Sequence, residues 1–328
     1  MTTTAKQDPR AEQGKRPPRV MRGMAWLVWR QHRTAFVACL LLAAASCVNM
    51  LWQRGTTRDF LARARTDGTA VDVLEAFQGA QSSAFQSATW TLSLVPVVAG
   101  VFLGAPLISG DRERGTVKLV TTQSMTRGRW ILTKLGLAAL VTLVCSAALS
   151  AVFTWWWEPA HLYVNSGHWD ESGVFDNTGP MLVAMALLHF AAGAALGMFL
   201  RRTVVAMVLT FGFAYAVEIL WDTVRPRLGT ARTLTSPVEA GRPKLPEGAV
   251  WHDEWTVDAH GGLHGFGTCF NESTPEGCRA NEGIVAHRLE YFGYDQMNAM
   301  QWTGAAILLA LTAAILTFTV WWARRRPL

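Results

Sequence analysis

The hydrophobic pattern of the chain consists of long apolar runs separated by polar segments. Six runs approach or exceed the roughly 20 apolar residues that a helix needs to cross a bilayer. They lie at 34–52, 88–108, 133–156, 181–200, 203–221 and 301–322. The pattern predicts an all-α membrane protein with six transmembrane helices. Five of them occupy a transmembrane domain at 34–221, and the sixth lies in 301–328 with a short tail.

Composition supports this prediction. Half of the 328 residues are hydrophobic and only 16% are charged, which is less charge than a typical soluble domain carries. Several of the 15 tryptophans stand at the ends of apolar runs, where such rings prefer the membrane–water boundary. The net charge of +6 comes from short basic groups beside these runs, which favours orientation in a bilayer over nucleic-acid binding. We therefore predict a multi-pass protein of the cell membrane.

Basic residues are distributed unevenly between alternate polar segments. If the N-terminus is cytoplasmic, the inner segments hold 19 Lys and Arg residues and the two short outer loops hold 4. Cytoplasmic loops are enriched in these residues, and loops longer than about 60 residues carry little weight. Both termini are therefore predicted to be cytoplasmic. Residues 1–19 are expected to be a disordered tail, and 20–33 an interfacial amphipathic helix or simply a basic flank.

Residues 222–300 form the predicted large extracellular segment between the fifth and sixth spans. The segment is rich in glycine and proline up to about residue 285, and IVAHRLEYFGYDQMNAM (284–300) is expected to form a helix. Cys269 and Cys278 share a compartment in which disulfides persist, so a bridge is expected, with two free thiols as the alternative. Several histidines and acids match no closed zinc pattern, so we expect a solvated polar loop and no metal site. These residues are His252, Asp253, Glu254, Asp258, His260, His264 and His287.

Two polar side chains inside the predicted spans are candidates for a substrate path. His189 lies in the middle of the fourth span and Glu218 near the outer end of the fifth. Ionisable groups in a membrane often mark such paths, although an interhelical hydrogen bond is the commoner role of a lone histidine. Two G-x-x-x-G pairs, Gly100/Gly104 and Gly193/Gly197, predict close helix packing or dimerisation.

The loop between the second and third spans combines six basic residues and two acids within 109–135. Its centre, ERGTVKLVTT, is expected to form a short helix at the inner surface. Ser124 or Thr126 is expected to cap the next helix, which begins around Arg127. A basic anchor that fixes topology is the alternative, but anchoring does not require the order Glu-x-Gly-Thr.

The order of residues in this loop resembles the signature of ABC-2 type permeases, the membrane subunits of ABC exporters. An acid precedes Gly-Thr, a hydrophobic pair follows, and then come Ser/Thr-Arg and a Lys that opens a membrane helix. The matching positions are Glu113, Gly115, Thr116, Leu119, Arg127 and Lys134. The stretch WRQHRTAF (29–36) is also similar to the first helix of many actinobacterial members. The resemblance covers about 20–222 and 300–323.

The resemblance implies that residues around 111–122 form a coupling helix that docks on a separate cytoplasmic ABC ATPase subunit. Two permease chains, identical or different, would combine with two ATPase chains, and substrate would pass between the permeases. The family also has short re-entrant helices before its last span, and RLEYFGYDQMNAM (288–300) is the candidate for one. The residues expected to act in coupling are Asp111, Arg112, Glu113, Arg114, Gly115, Thr116, Lys118, Leu119 and Arg127.

The predicted function is thus ATP-driven export by a chain that is not itself an enzyme. The chain contains no G-x-x-x-x-G-K-[ST] motif, so ATP would be bound by the partner subunit and the permease would hold no cofactor. A drug or antibiotic is the expected class of cargo. Two alternatives stay open at this point. One is a proton-coupled secondary carrier that uses His189 and Glu218, and the other is a membrane enzyme that uses His260 and His264.

Overall fold

A computed structural model of the chain describes residues 24–67, 70–115, 126–164, 168–200, 202–269 and 274–325. Among these residues, six helical segments are long and apolar enough to cross a membrane. Each of the six predicted apolar runs falls on one of them, so the prediction of six helical spans is confirmed. The fourth span is the most enclosed by the others, while the first and fifth are the most exposed.

The first span belongs to a single long helix, α1 (Met24–Asp67). At 1.5 Å per residue, its 44 residues extend for about 66 Å, well beyond a hydrocarbon core of about 30 Å. Helix α2 (Ala70–Ala80) follows. The predicted interfacial helix at 20–33 is not a separate element, since its described part, 24–33, continues into the span without a break. Residues 1–19 lie outside the described residues.

The second span combines three helical segments, α3 (Ser82–Val98), a π-helix (Ala99–Gly104) and α4 (Ala105–Glu113). The π-helix lies between Pro96 and Pro106, and prolines inside a helix commonly kink it. Proline has no backbone N–H to donate, and a wide turn is a known way for a helix to accommodate the interruption.

The remaining spans are formed by α5 (Arg127–Trp157), α7 (Met181–Phe199), α8 (Thr203–Val224) and α10 (Met297–Arg325). A short helix, α6 (Ser172–Phe175), precedes the fourth span. The two G-x-x-x-G pairs pack against each other, which joins the second span to the fourth within one chain. A Cβ on Gly193 would collide with the carbonyl oxygen of Gly100, and one on Gly104 would lie 2.5 Å from the carbonyl oxygen of Phe190.

Between the fifth and sixth spans the chain forms a four-stranded antiparallel sheet. Its strands are β1 (Arg232–Pro237), β2 (Val250–Asp258), β3 (Leu263–Gly265) and β4 (Ile284–Phe292), in the order β1-β4-β2-β3. A short helix, α9 (Pro275–Asn281), lies between β3 and β4. This architecture adds a β-sheet to a fold that is otherwise predominantly helical.

The prediction of a helix at 284–300, including a re-entrant helix at 288–300, is wrong for most of its length. Residues 284–292 form β4, the fourth strand in sequence and one of the two central strands of the sheet, with β1 on one side and β2 on the other. The stretch is rich in β-branched and aromatic residues, which favour strands. A 3₁₀ turn (Tyr294–Gln296) then leads directly into α10.

The sheet packs on one end of the helix bundle, which we call the sheet side. Trp169 Nε1 donates a hydrogen bond of 3.0 Å to the carbonyl oxygen of Gly248. The rings of His161 and Tyr294 stack with centroids 4.9 Å apart, and Val250 joins the hydrophobic core of the bundle. The opposite end holds the chain segments around Arg112, Arg129 and Arg324, and we call it the basic side.

Candidate functional site

The predicted coupling residues lie on the basic side, where the second span ends. Asp111, Arg112 and Glu113 form the last turn of α4, and we call these three residues the α4 clasp. Gly115 follows with a φ of +70°, a left-handed conformation that commonly ends a helix. Arg114 caps the end of α4, and Arg127 is the first residue of α5. The other predicted coupling residues, Thr116, Lys118 and Leu119, lie outside the described residues.

Asp111 connects α4 to the first and third spans. Its buried carboxylate forms an ion pair with the fully buried Lys134 of α5. It also accepts a hydrogen bond from Gln31 Nε2 of α1. Lys134 Nζ lies 3.3 Å from His32 Nε2 and 3.3 Å from the carbonyl oxygen of Leu107. A buried ion pair is tolerated when such additional hydrogen bonds satisfy the remaining polar groups.

Arg112 and Glu113 connect α4 to the fourth and fifth spans. Arg112 Nη1 donates a hydrogen bond to the carbonyl oxygen of Met198 near the C-terminus of α7. Glu113 Oε2 accepts a hydrogen bond of 3.2 Å from the backbone N–H of Thr203, the first residue of α8. Each charge has the sign that the dipole of the contacted helix favours at that end.

The sixth span also reaches this side. The side chain of Arg324 packs close to Gly128, where an added Cβ would lie 3.0 Å from Arg324 Nε. The hydroxyls of Ser109 and Thr203 are 3.2 Å apart and add a further contact between the second and fifth spans. Five residues at the end of the second span, 109–113, thus contact the first, third, fourth and fifth spans.

Sequence reasoning missed the partners of the clasp, although a signal for one of them, Lys134, was present. Lys134 is the second residue of the apolar run at 133–156, and a charged side chain there requires a partner. Asp111 and Glu113 are the two acids at the end of the preceding span, so a pair with one of them could have been anticipated. Nothing in the local sequence indicates that Glu113 would contact Thr203 across 90 residues of chain.

The two candidates for a substrate path occupy different surroundings. His189 is fully buried in α7, where its Nδ1 lies 2.8 Å from the carbonyl oxygen of Met185 and its ring packs edge-on to Phe213 of α8. Glu218 is half-buried in α8 on the sheet side, close enough to Asp176 and Arg225 to interact with their charges. His189 therefore contributes to packing between the fourth and fifth spans.

A second buried ion pair lies on the sheet side. Arg225 Nη2 is 2.7 Å from Asp176 Oδ2, and Trp221 Nε1 donates a hydrogen bond of 2.8 Å to Asp176 Oδ1. Burial raises the pKa of Asp176 to about 6, although Arg225 and Trp221 act in the opposite direction. Nearby, Gln301 of the sixth span donates hydrogen bonds to the carbonyl oxygen of Phe175 and to Thr178 Oγ1.

The polar residues of 222–300 are largely engaged in the sheet. His264 Nε2 lies 3.0 Å from Asp258 Oδ2, and this hydrogen bond, together with the backbone N–H groups of Gly262 and His260, lowers the pKa of Asp258 to about 2. Glu254 is buried in an ion pair with Arg242. Cys269 and Cys278 form a disulfide. Across the described ranges, no group of three or more His, Cys, Asp or Glu residues is placed to hold a metal ion.

Comparison with known proteins identified one family. Residues 38–225, more than half of the chain, match the family model described as ABC-2 membrane transporter related. The matched region begins in the first span and ends at Arg225, so it contains the α4 clasp and all of its contacts beyond residue 37. No curated protein and no solved structure matched the chain.

Proposed function

From the premise that the chain belongs to the ABC-2 membrane transporter related family, and is therefore a permease component of an ABC transporter, we propose that it drives export with a separate ATPase subunit. The loop that follows the α4 clasp docks on that subunit. Docking at the basic side makes this side cytoplasmic, which places both termini in the cytoplasm and the sheet outside the cell. The chain is a membrane subunit and not an enzyme, and the partner binds the ATP.

The α4 clasp is the observation that carries the proposal. A loop that only anchored the protein would need basic residues at the surface, but it would not need charged contacts to four other spans. Through Asp111 the clasp contacts the first and third spans, and through Arg112 and Glu113 it contacts the fourth and fifth. A displacement of the loop that begins at Arg114 is therefore transmitted to five of the six spans.

The clasp contacts the two helix ends at which the fourth span is connected to the fifth. Arg112 and Glu113 are adjacent in sequence, yet they contact the ends of two different helices, the end of α7 and the start of α8. Because both contacts are charged hydrogen bonds at helix termini, they can break and reform without exposing a large apolar surface. In a complex of two permeases and two ATPases, ATP-driven closure of the ATPase pair pushes these two helix ends. A drug or antibiotic remains our expected class of cargo.

The experiment that tests the proposal is a mild-detergent purification from native membranes through a tag after Leu328. We expect a nucleotide-binding subunit and ATP hydrolysis in the eluate. Glu113→Ala should leave the protein inserted and reduce both docking and ATP-driven transport by about tenfold, the effect of about 1.4 kcal/mol expected for one charge-assisted hydrogen bond.

Glu113→Gln is the matched control, because its side-chain oxygen can still accept the hydrogen bond from Thr203. If Glu113→Gln restores transport, the loss in Glu113→Ala is due to the hydrogen bond with Thr203. If Glu113→Gln restores neither docking nor transport, the loss is due to the negative charge that faces the ATPase. Equal docking and transport by the parent protein and Glu113→Ala would contradict the proposed role of the clasp. An ATPase-free eluate at normal yield would contradict the proposed function as a whole.

A further inference from the structure

A groove runs along the first three spans on the surface of the bundle. The first span packs mainly against the third, so α1 and the second span flank α5 and leave a cleft between them. An apolar cavity of about 280 Å³ occupies the deeper part of this cleft. Its walls come from α1 and α3, and its floor includes Val141 and Leu149 of α5.

A second cavity of about 300 Å³ continues the first toward the sheet side. The two cavities share Ser46, Thr91 and Leu92 in their walls, so they form one continuous groove. Along α1 the groove extends from Cys39 to Gln53. Fourteen residues of helix correspond to about 21 Å, which is close to the length of an alkyl chain of a dozen carbons plus a head group.

The two halves of the groove differ in chemistry. The deeper half is lined mostly by apolar side chains, whereas six of the ten residues that line the half toward the sheet side carry a hydroxyl or amide group. The polar groups are those of Ser46, Asn49, Gln53, Ser83, Ser87 and Thr91. Asn49 is exposed in the cleft, three residues before the end of the predicted apolar run at 34–52. An amide or hydroxyl without a hydrogen-bonding partner is costly in hydrocarbon, so this end favours a polar occupant.

Charge is the property that selects the occupant. None of the described residues that line either cavity is Asp, Glu, Lys, Arg or His. An ionised head group would lose its hydration in this groove without gaining an opposite charge. Neutral hydroxyl or amide head groups, in contrast, can exchange hydrogen bonds with Asn49 and Gln53.

We propose that this groove binds the cargo of the transporter and that the cargo is an amphiphile with an alkyl chain and an uncharged, hydrogen-bonding head group. The alkyl chain lies between Cys39 and Leu92, and the head group lies against Asn49 and Gln53. The assignment of the ligand as cargo rests on the proposed function, but binding in the groove does not. The open side of the cleft lets the amphiphile enter from the bilayer.

Two native cysteines provide a direct measurement of binding. Cys39 lines the apolar half of the groove, whereas Cys47, on the same helix and also half-buried, lines neither cavity. The permease in nanodiscs is treated with a membrane-permeant maleimide, and alkylation of each cysteine is followed by mass spectrometry. The probes are dodecyl maltoside, dodecyl phosphate and dodecyltrimethylammonium, which share one chain and differ in head-group charge.

We expect dodecyl maltoside to slow the alkylation of Cys39 by about fivefold, as for a site occupied four-fifths of the time, and to leave Cys47 unchanged. The two charged probes should leave both rates unchanged. Ser46→Trp places a large ring where the two cavities meet and should abolish the protection. Val48→Trp is the matched control because Val48 is exposed on α1 and lines neither cavity, and it should retain the protection.

Equal protection by all three probes would overturn the proposal, because it would show a groove filled by any lipid chain. Protection of Cys47 together with Cys39 would overturn it as well. To test the assignment as cargo, the probe is added to the complex with its ATPase, where we expect dodecyl maltoside to stimulate ATP hydrolysis in the parent and not in Ser46→Trp. Protection of Cys39 without stimulation would identify a resident lipid instead. Failure to recover an ATPase would contradict the proposed function and leave the binding result intact.

Discussion

The two ends of the helix bundle each contain a buried ion pair, but the pairs differ in their surroundings. On the sheet side, Asp176 and Arg225 lie among further fixed contacts, including those of Trp221 and Gln301. On the basic side, Asp111 in the last turn of α4 pairs with Lys134 of α5, and the neighbouring Arg112 and Glu113 form charged hydrogen bonds to helix ends.

This difference indicates where the molecule is rigid and where it can rearrange. The sheet side joins its helices by apolar packing, aromatic stacking, hydrogen bonds and a β-sheet, and separating them would expose a large area. On the basic side, Asp111 and Lys134 are buried, but Arg112 is half-buried and Glu113 is exposed, so water can solvate the groups that contact the fourth and fifth spans. Hydrogen bonds exposed to solvent open at a low free-energy cost, so we expect motion to begin at the α4 clasp.

Removal of Arg225 should have the largest effect on stability. In Arg225→Ala the buried carboxylate of Asp176 loses its counter-charge, and we expect the free energy of unfolding in mixed micelles to fall by about 4 kcal/mol at pH 8. The pKa of Asp176 is raised to about 6, so its carboxyl group becomes neutral as the pH falls below that value. The loss of stability should therefore be smaller at pH 5 than at pH 8.

The control for this prediction removes both charges. Asp176→Asn combined with Arg225→Met keeps an acceptor for Trp221 Nε1 and should recover most of the lost stability. If the double variant is as unstable as Arg225→Ala, the contact surfaces around the pair, and not its charges, hold this end together.

Removal of Lys134 should have a smaller effect on stability and a larger one on coupling. Lys134→Met leaves Asp111 with its hydrogen bond from Gln31, so we expect a loss of about 2 to 3 kcal/mol in the same unfolding assay, below or at the low end for a broken buried pair. At matched amounts of folded protein, we expect Lys134→Met to reduce ATP-driven transport more than Arg225→Ala does. A larger loss of transport in Arg225→Ala would remove the distinction between a rigid and a movable end.

The smallest effect concerns the sheet itself. The pKa of Asp258 is lowered from 3.8 to about 2, so its contribution to stability is present above pH 3.8 and is lost as the pH falls toward 2. Amide hydrogen exchange in β2 and β3 should therefore accelerate across this interval more steeply in the parent than in Asp258→Asn. Identical pH dependences in the two proteins would show that the hydrogen bond from His264 does not stabilise this part of the sheet.

The sequence was sufficient to predict the six spans because each one is a long apolar run, and the hydrophobic thickness of a bilayer fixes the length required. The sheet was not predicted. Its strands are three to nine residues long, they lie among glycines and prolines, and their pairing joins positions far apart in the chain. For residues 284–292, an apolar stretch beside a span suggested a helix, whereas the pairing with β1 and β2 determined a strand.

The site was predicted only as a segment. The charged motif drew attention to Asp111, Arg112 and Glu113 as a group, since few charged residues occur among apolar runs. It did not indicate what each residue contacts, because Lys134, Met198 and Thr203 meet the clasp only after the helices pack. The groove along the first three spans was missed for the same reason, since it is formed by side chains from three separate helices.

The π-helix of the second span has a consequence for the geometry of any rearrangement at α4. A π-turn contains about one residue more than an α-turn, and each residue of an α-helix turns the chain by about 100°. If the turn between Ala99 and Gly104 tightened into α-helix, α4 would rotate about its own axis relative to α3. A push on the second span can therefore rotate α4 about its own axis as well as shift it along the membrane normal.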